Sequence, residues 1–282
     1  MNLTPSDQIM YNVVHITMLD NLKKAIGTAT GFLFGFCECE KGSILSLVTN
    51  RHVLAGCSFI RVSFTCEKED HTPDIGNLLH LEIETSRTIL HPNNSIDLAI
   101  LPLSEAFSAA RSLGRELYYS RFTFENIPSE QEWADFSAIE KVVMAGFPKG
   151  LRDEFNNQPI TRSGITATHP RLDFRGTPEF LIDMPCFEGC SGSPVLICDE
   201  GLVVDKRNGK VAVGSRMKLL GIQHAIPLDE IKGYLATVPA ADMILAPIVQ
   251  SYLNLGFIIR STELYAFERI LRVRLNFDAS SN

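Results

Sequence analysis

The chain has 282 residues, of which 45% are hydrophobic and 21% charged, with 19 glycines and 14 prolines. That is ordinary globular usage; it excludes disordered, collagenous and coiled-coil architectures and leaves room for one large domain or two lobes. The formal net charge of −7 argues against nucleic acid or an anionic membrane as a partner.

The N-terminal stretch, residues 1–8, lacks a basic segment followed by an apolar run, so no secretory signal is expected. Strands are predicted over residues 9–19 and 28–39, both rich in β-branched and aromatic residues. Further strands are predicted over 43–49, 59–66, 78–90 and 98–103, the second of these alternating with Ile60, Val62 and Phe64 on one face. Six short strands between turn residues predict a β barrel or sandwich. Residues 104–138 are charged and aromatic, hold the only tryptophan (Trp133), and read as a helical or irregular connector. The strand pattern resumes over 142–147, 160–168, 180–184, 194–198 and 219–226. Between the last two, Lys206-Arg207-Asn208-Gly209 is a hairpin signal. Pro227-Leu228-Asp229-Glu230 reads as the start of a short amphipathic helix, and a helical region is predicted from Pro239 towards Arg272. The most apolar window, residues 243–259, is interrupted by Pro247, Gln250, Ser251 and Asn254 and is too short for a membrane span.

The seven cysteines are odd in number and show no paired framework. Cys37 and Cys39 are close, but no second pair stands at zinc-site spacing, so no metal and no cofactor is expected. Free thiols in a reducing cytoplasm are the expectation.

Three segments carry chemistry. In Phe187-Glu188-Gly189-Cys190-Ser191-Gly192-Ser193-Pro194, small neighbours let a carbonyl approach Ser191 Oγ. They also let the backbone N–H groups of Gly189 and Ser191 converge on one point, as an oxyanion requires. Val48-Thr49-Asn50-Arg51-His52 places a histidine at the end of an apolar strand. Ser95-Ile96-Asp97-Leu98-Ala99-Ile100-Leu101 places an aspartate at the mouth of another. Taken singly, these are a turn, a structural histidine and a turn aspartate. Together they supply a hydroxyl nucleophile, a general base and an orienting carboxylate.

In the order His52, Asp97, Ser191, with separations of 45 and 94 residues, these blocks resemble the catalytic blocks of chymotrypsin-fold, trypsin-like serine proteases. Ala145-Gly146-Phe147-Pro148-Lys149-Gly150-Leu151, a strand-end turn, and Leu220-Gly221-Ile222-Gln223-His224-Ala225-Ile226-Pro227-Leu228-Asp229-Glu230-Ile231, the strand-to-helix exit, resemble the bacterial trypsin-like peptidase branch related to HtrA-type protease domains. The resemblance spans roughly residues 10–236. Too few residues follow Pro239 for a PDZ domain, so none is expected. The resemblance implies an all-β chain of two six-stranded antiparallel barrels with the site between them and a helical C-terminal tail. The expected division is 1–105 for the first barrel, 106–139 for the connector, 140–238 for the second barrel and exit helix, and 239–282 for the extension. It implies His52 as general base and acid, Asp97 as the group fixing its tautomer, and Ser191 as the acylated nucleophile. Gly189 and Ser191 would form the oxyanion hole. An α/β hydrolase is disfavoured, because Ser193 stands where its elbow needs glycine. Cys190 lacks the glycines that flank the family's nucleophile at the positions Ser191 satisfies.

The implied activity is intracellular serine endopeptidase cleavage of a protein or peptide substrate. The alternative is a partner-gated or non-catalytic regulatory protein on the same scaffold. Cys190 replaces the aspartate of secreted trypsins, so activation by zymogen cleavage is not expected. Trypsin's pocket aspartate aligns near Pro185, which gives no support for a basic substrate residue. Pro185, Gly221 and His224 are the candidate substrate-binding residues. His224 is the candidate for reading an acidic or amide side chain, because relatives with that preference use a histidine on this strand. His15, His71, His80, His91 and His169 read as structural or surface residues. The apolar residues of the tail predict packing on the body of the enzyme, or a docking or oligomer contact.

Overall fold

The computed structural model describes residues 3–40, 42–207, 209–226, 228–231 and 249–274. Thr4 opens the first helix with a capping box: its hydroxyl accepts from Asp7 N at 3.2 Å, and the Asp7 carboxylate accepts from Thr4 N at 3.1 Å. With Pro5 at the first helical position, this starts α1 (Pro5–Met10). The predicted strand over 9–19 is corrected accordingly: β1 is Val13–Leu19. The local cap decides the first residues, and their apolar side chains do not.

The first lobe continues with β2 (Ala25–Cys39), β3 (Gly42–Thr49), the short helix α2 (Arg51–Ala55), β4 (Phe59–Glu67), β5 (Pro73–Glu84), β6 (Ile89–Leu90), β7 (Ala99–Pro102), α3 (Ser104–Ser112) and β8 (Leu117–Tyr118). It forms an eight-stranded sheet in the order β5-β4-β1-β2-β3-β7-β6, with β8 added to β4. Six strands were expected in this lobe. The predicted strand over 78–90 is instead two strands separated by a 3-10 turn at Thr85–Arg87, and the connector supplies β8.

Strand β2 explains why its sequence is apolar throughout. Phe32, Phe34 and Phe36 point to one face and join a cluster shared with Ala145, Phe147, Leu196, Ile222 and Ile259 of the second lobe. Leu33, on the opposite face, packs with Ile16, Leu47, Ile60 and Leu101 inside the first lobe. A strand buried on both faces loses the polar half of the period-2 pattern.

The second lobe comprises α4 (Glu130–Asp135), β9 (Lys141–Gly146), β10 (Ile160–Thr166), β11 (Glu179–Asp183), β12 (Pro194–Asp205), β13 (Lys210–Ala225), β14 (Leu228–Ile231), β15 (Val249–Tyr252), β16 (Leu255–Arg260) and α5 (Tyr265–Arg274). Six of these strands close a barrel in the order β10-β11-β16-β13-β12-β9. With the first sheet, this is the chymotrypsin-like two-lobed, mostly β fold, ending in a short C-terminal helix. The hairpin signal at 206–209 joins β12 to β13, which pair from Pro194–Ile222 out to Asp205–Lys210; Asn208 itself lies outside the described residues.

Two expectations are corrected here. Residues 228–231 are a strand paired with 249–252, and no exit helix starts there; Pro227 lies outside the described residues. The ladder with 249–252 satisfies the backbone groups that a helix would otherwise pair along the chain. Secondly, the region after Pro239 is not one helical tail. Strand β16 pairs with both β11 and β13, so the second barrel cannot close without it. The boundary at 238/239 therefore cuts through this barrel. Of the tail's apolar residues, Ile258, Leu264 and Phe267 are fully buried and Leu271 nearly so, whereas Leu253 is exposed. Ile244 and Ile248 lie outside the described residues.

Candidate active site

His52 stands in the first turn of α2, immediately after β3 delivers Asn50 as the helix N-cap. Asp97 precedes β7, which pairs with β3. This pairing brings two residues distant in sequence into contact. His52 Nδ1 lies 2.6 Å from Asp97 Oδ2, and His52 N donates to Asp97 Oδ1 at 3.0 Å. An ionised carboxylate has no proton to give, so Nδ1 carries the hydrogen and Nε2 is left as the acceptor. The Asp97 loop is itself held: Asn50 Nδ2 donates to the Asp97 carbonyl at 2.8 Å, and Arg51 reaches the His91 carbonyl at 2.6 Å. Half of the His52 side chain is exposed, while Asp97 is more sheltered at 27%. The ring is therefore open to solvent while the carboxylate that holds it is partly sheltered.

Ser191 lies in the turn that enters β12. Its carbonyl accepts from Thr30 N of β2 at 2.9 Å, and Gly192 N donates to the Gln223 carbonyl of β13 at 2.9 Å. The turn is thus sewn to both lobes. Gly192 has φ +88, and a Cβ there would stand 2.0 Å from the Thr30 carbonyl oxygen. Gly189 has φ +87, and a Cβ there would stand 2.5 Å from the Phe147 carbonyl oxygen. Both positions demand glycine on conformation and on space.

Cys190 N, Gly192 N and Ser193 N all donate backbone hydrogen bonds. The amides of Gly189 and Ser191 donate none among the described residues. The preceding Glu188 carbonyl is held by Lys149 N at 2.6 Å, and the Gly189 carbonyl by Thr30 Oγ1 at 2.8 Å. Both carbonyls are engaged by donors, and two amide donors on either side of Cys190 are left unused. Among the described hydrogen bonds, none joins Ser191 Oγ to the His52 ring.

The cysteines next to this turn are poor nucleophiles. Burial pushes the Cys186 thiol up to about 12, with Cys190 adding to the shift, and burial also raises the Cys190 thiol. Both pack in an apolar cluster with Met184, Met144 and Trp133. They stay protonated at neutral pH, where thiolate is the reactive form.

The three candidate substrate-binding residues do not form one surface. Gly221 lies inside β13, where a Cβ would stand 2.2 Å from the Ile259 carbonyl oxygen of β16. It is a packing position between two strands. His224 Nε2 stands 3.2 Å from Glu179 Oε1, with both side chains largely buried. Its ring already faces a carboxylate of the protein. Pro185 is exposed, and its carbonyl accepts a hydrogen bond from Arg162. The sequence reading missed Thr30, Arg162 and Lys149. A threonine in an apolar strand, an arginine in a mixed strand and a lysine after proline carry no local mark.

Among the described residues, no group of His, Cys, Asp and Glu is arranged to hold a metal ion, and no helix is long and apolar enough to cross a membrane.

The family model that matches is a trypsin-like peptidase domain, over residues 29–204. No curated protein matches the chain. Three solved structures resemble it at low identity. The serine endoprotease from Yersinia pestis is 16% identical over 96% of this chain and 68% of its own, with a TM-score of 0.47. The apo MamO protease domain from Magnetospirillum magneticum is 14% identical over 92% and 97%, with a TM-score of 0.45. The Rv3671c protease from M. tuberculosis, in its active form, is 17% identical over 93% and 81%, with a TM-score of 0.47.

Proposed function

The chain belongs to the trypsin-like peptidase family, and from that premise we propose that it is a serine endopeptidase acting through His52, Asp97 and Ser191. The observation that carries the reading is the pair of unused amides, Gly189 N and Ser191 N, on the turn that presents the Ser191 hydroxyl. Ser191 Oγ attacks the scissile carbonyl while His52 Nε2 takes its proton. The C–O bond that forms gives a tetrahedral intermediate whose oxyanion is met by the two amides. Asp97, bonded to Nδ1, holds the ring and stabilises the imidazolium. His52 then returns the proton to the leaving amine as the C–N bond breaks. Water repeats the sequence on the acyl-enzyme and releases the acid. The compartment proposed is a reducing cytoplasm, on the strength of seven cysteines without a pairing pattern.

A second reading is gating by a partner, which the missing Ser191–His52 hydrogen bond favours. Under the first reading, the bond forms as substrate binds, since catalytic hydrogen bonds are often long in the free enzyme and tighten in the complex.

Labelling with an active-site fluorophosphonate tests both. The isolated full chain is expected to label, and Ser191→Ala to abolish labelling. No Ser191-dependent labelling of the folded isolated chain would overturn the active-enzyme reading and favour the gated one.

A further inference from the structure

A cationic pair stands beside the nucleophile turn and is not used by the chemistry above. Arg162 lies on β10 directly opposite Met144 of β9, so the two side chains leave the sheet on the same face. Met144 packs in the apolar cluster that contains Cys186 and Cys190. The Arg162 guanidinium donates to the carbonyl of Pro185, six residues before Ser191. Its Cζ sits 4.8 Å from the ring centroid of Phe187. Lys149 Nζ sits over the same ring at 5.7 Å, and the Lys149 amide holds the Glu188 carbonyl beside Gly189.

Phe187 therefore carries two cations, and neither is neutralised. Among the described residues, the contacts of Arg162 and Lys149 are a carbonyl, an aromatic ring and backbone groups, with no ion pair to a carboxylate, although Asp183 and Glu188 are near in sequence and exposed. Most other arginines here do find a carboxylate: Arg61 with Glu82, Arg216 with Asp199, Arg260 with Asp173. Arg162 is half-buried, where an unpaired charge is costly and a carboxylate partner is most rewarding. Its positive charge also reaches the two thiols beside the nucleophile, favouring their ionised form against the larger effect of burial.

We propose that Arg162, with Lys149 on the same Phe187 ring, is a specificity-determining subsite that selects peptides with an acidic side chain at the residue preceding the scissile bond. The proposal deepens the endopeptidase reading and rests on it for the direction of the peptide. Pro185, Cys186 and Phe187 form the segment leading to Ser191, and Pro185 is exposed, so the cation held by its carbonyl stands at the surface beside that segment. The planar guanidinium can meet a carboxylate with two parallel hydrogen bonds, and Lys149 adds a point charge. His224, the sequence candidate for this task, has its Nε2 3.2 Å from Glu179 Oε1 without a hydrogen bond.

The test separates this proposal from catalysis by using the Ser191→Ala chain and measuring binding alone. Fluorescein-labelled tetrapeptides ending in Glu, Gln, Leu or Lys, each with a free C-terminal carboxylate, are titrated by anisotropy. The Glu peptide is expected to bind roughly tenfold tighter than the Gln, Leu and Lys peptides, as one charge-assisted contact provides. Adding Arg162→Gln should remove most of that preference, and Arg162→Lys should retain part of it; thermal melts establish that each variant is folded. Equal binding of the four peptides, no binding of any, a preference for Lys, or a Glu preference unchanged in folded Arg162→Gln would overturn the proposal. Failure of fluorophosphonate labelling in the Ser191 chain bears on the endopeptidase reading, and the binding result stands apart from it.

Discussion

Thr30, on β2 of the first lobe, donates its hydroxyl to the carbonyl of Gly189 in the second lobe at 2.8 Å. The same oxygen accepts from Phe147 N at 3.0 Å, and Thr30 N donates to the Ser191 carbonyl at 2.9 Å. One fully buried residue thus ties down both ends of the turn that contains the two unused amides. Its own carbonyl is held by Thr49 Oγ1 at 2.7 Å, one strand from His52.

Thr30→Val keeps the shape and deletes the hydroxyl, leaving Gly189 O and Phe147 N buried without a partner. The loss is expected to be about 1–3 kcal/mol of stability. A fall in kcat on the order of 10–100-fold is also expected, with KM little changed, because the oxyanion donors matter most in the transition state. Thr30→Ser should restore most of the rate. Steady-state kinetics with thermal melts check this, and a Thr30→Val enzyme with unchanged kcat would contradict the positioning role.

His15 makes stability depend on pH. Its ring packs edge-on against Phe147 with centroids 5.1 Å apart, and Arg152 lies 3.5 Å from Nδ1. Burial, with the Arg152 charge adding to it, lowers its pKa to about 4. The unfolded chain takes up this proton near pH 6.5, about the ordinary histidine value. The folded chain takes it up only near pH 4. Stability from this group is therefore full above the ordinary value and declines as pH falls through the window between the two. The slope there is up to about 1.4 kcal/mol per pH unit. Urea unfolding of wild type and His15→Leu at pH 7.5, 6 and 5 should show the wild type losing stability faster on acidification. Parallel pH curves would show that His15 is not the group responsible.

Residues 255–271 belong to the protein's own core. Phe267 of α5 is fully buried, with its ring centroid 6.4 Å from Phe36 and 5.5 Å from His91. Glu268 accepts from Cys37 N at 2.8 Å, fastening the helix to β2. Phe267→Ala is expected to cost about 3–5 kcal/mol, the range for a large buried aromatic. Ending the chain at residue 238 should give insoluble protein, because β16 is lost from the closed barrel. A soluble, cooperatively melting 1–238 fragment would refute that.

How much was legible from sequence differs by residue. His52, Asp97 and Ser191 stand out in the sequence because each carries a local mark: a histidine closing an apolar strand, an aspartate opening another, a serine between glycines; the structure brings the first two into contact. The strands that hold them could be read from β-branched and aromatic runs. By contrast, β16 looks like any short apolar stretch, and its identity as a strand depends on β11 and β13 lying ready on either side. The start of α1 was misread because apolar composition outweighed the Thr4–Asp7 cap. His224 is a candidate by position, and only the tertiary structure places Glu179 of another strand 3.2 Å from its ring.

By itself, then, the amino-acid sequence determined the kinds of chemistry present, their order along the chain and a two-lobed β architecture, because these follow from residue type and local periodicity. Only the tertiary structure decided which charges are paired, which amides are left unused and where the second barrel ends. Those depend on long-range pairing: Thr30 meets Gly189 only when the lobes dock, and Arg162 lies beside the Ser191 turn only when β10 pairs with β9 and its guanidinium reaches the Pro185 carbonyl.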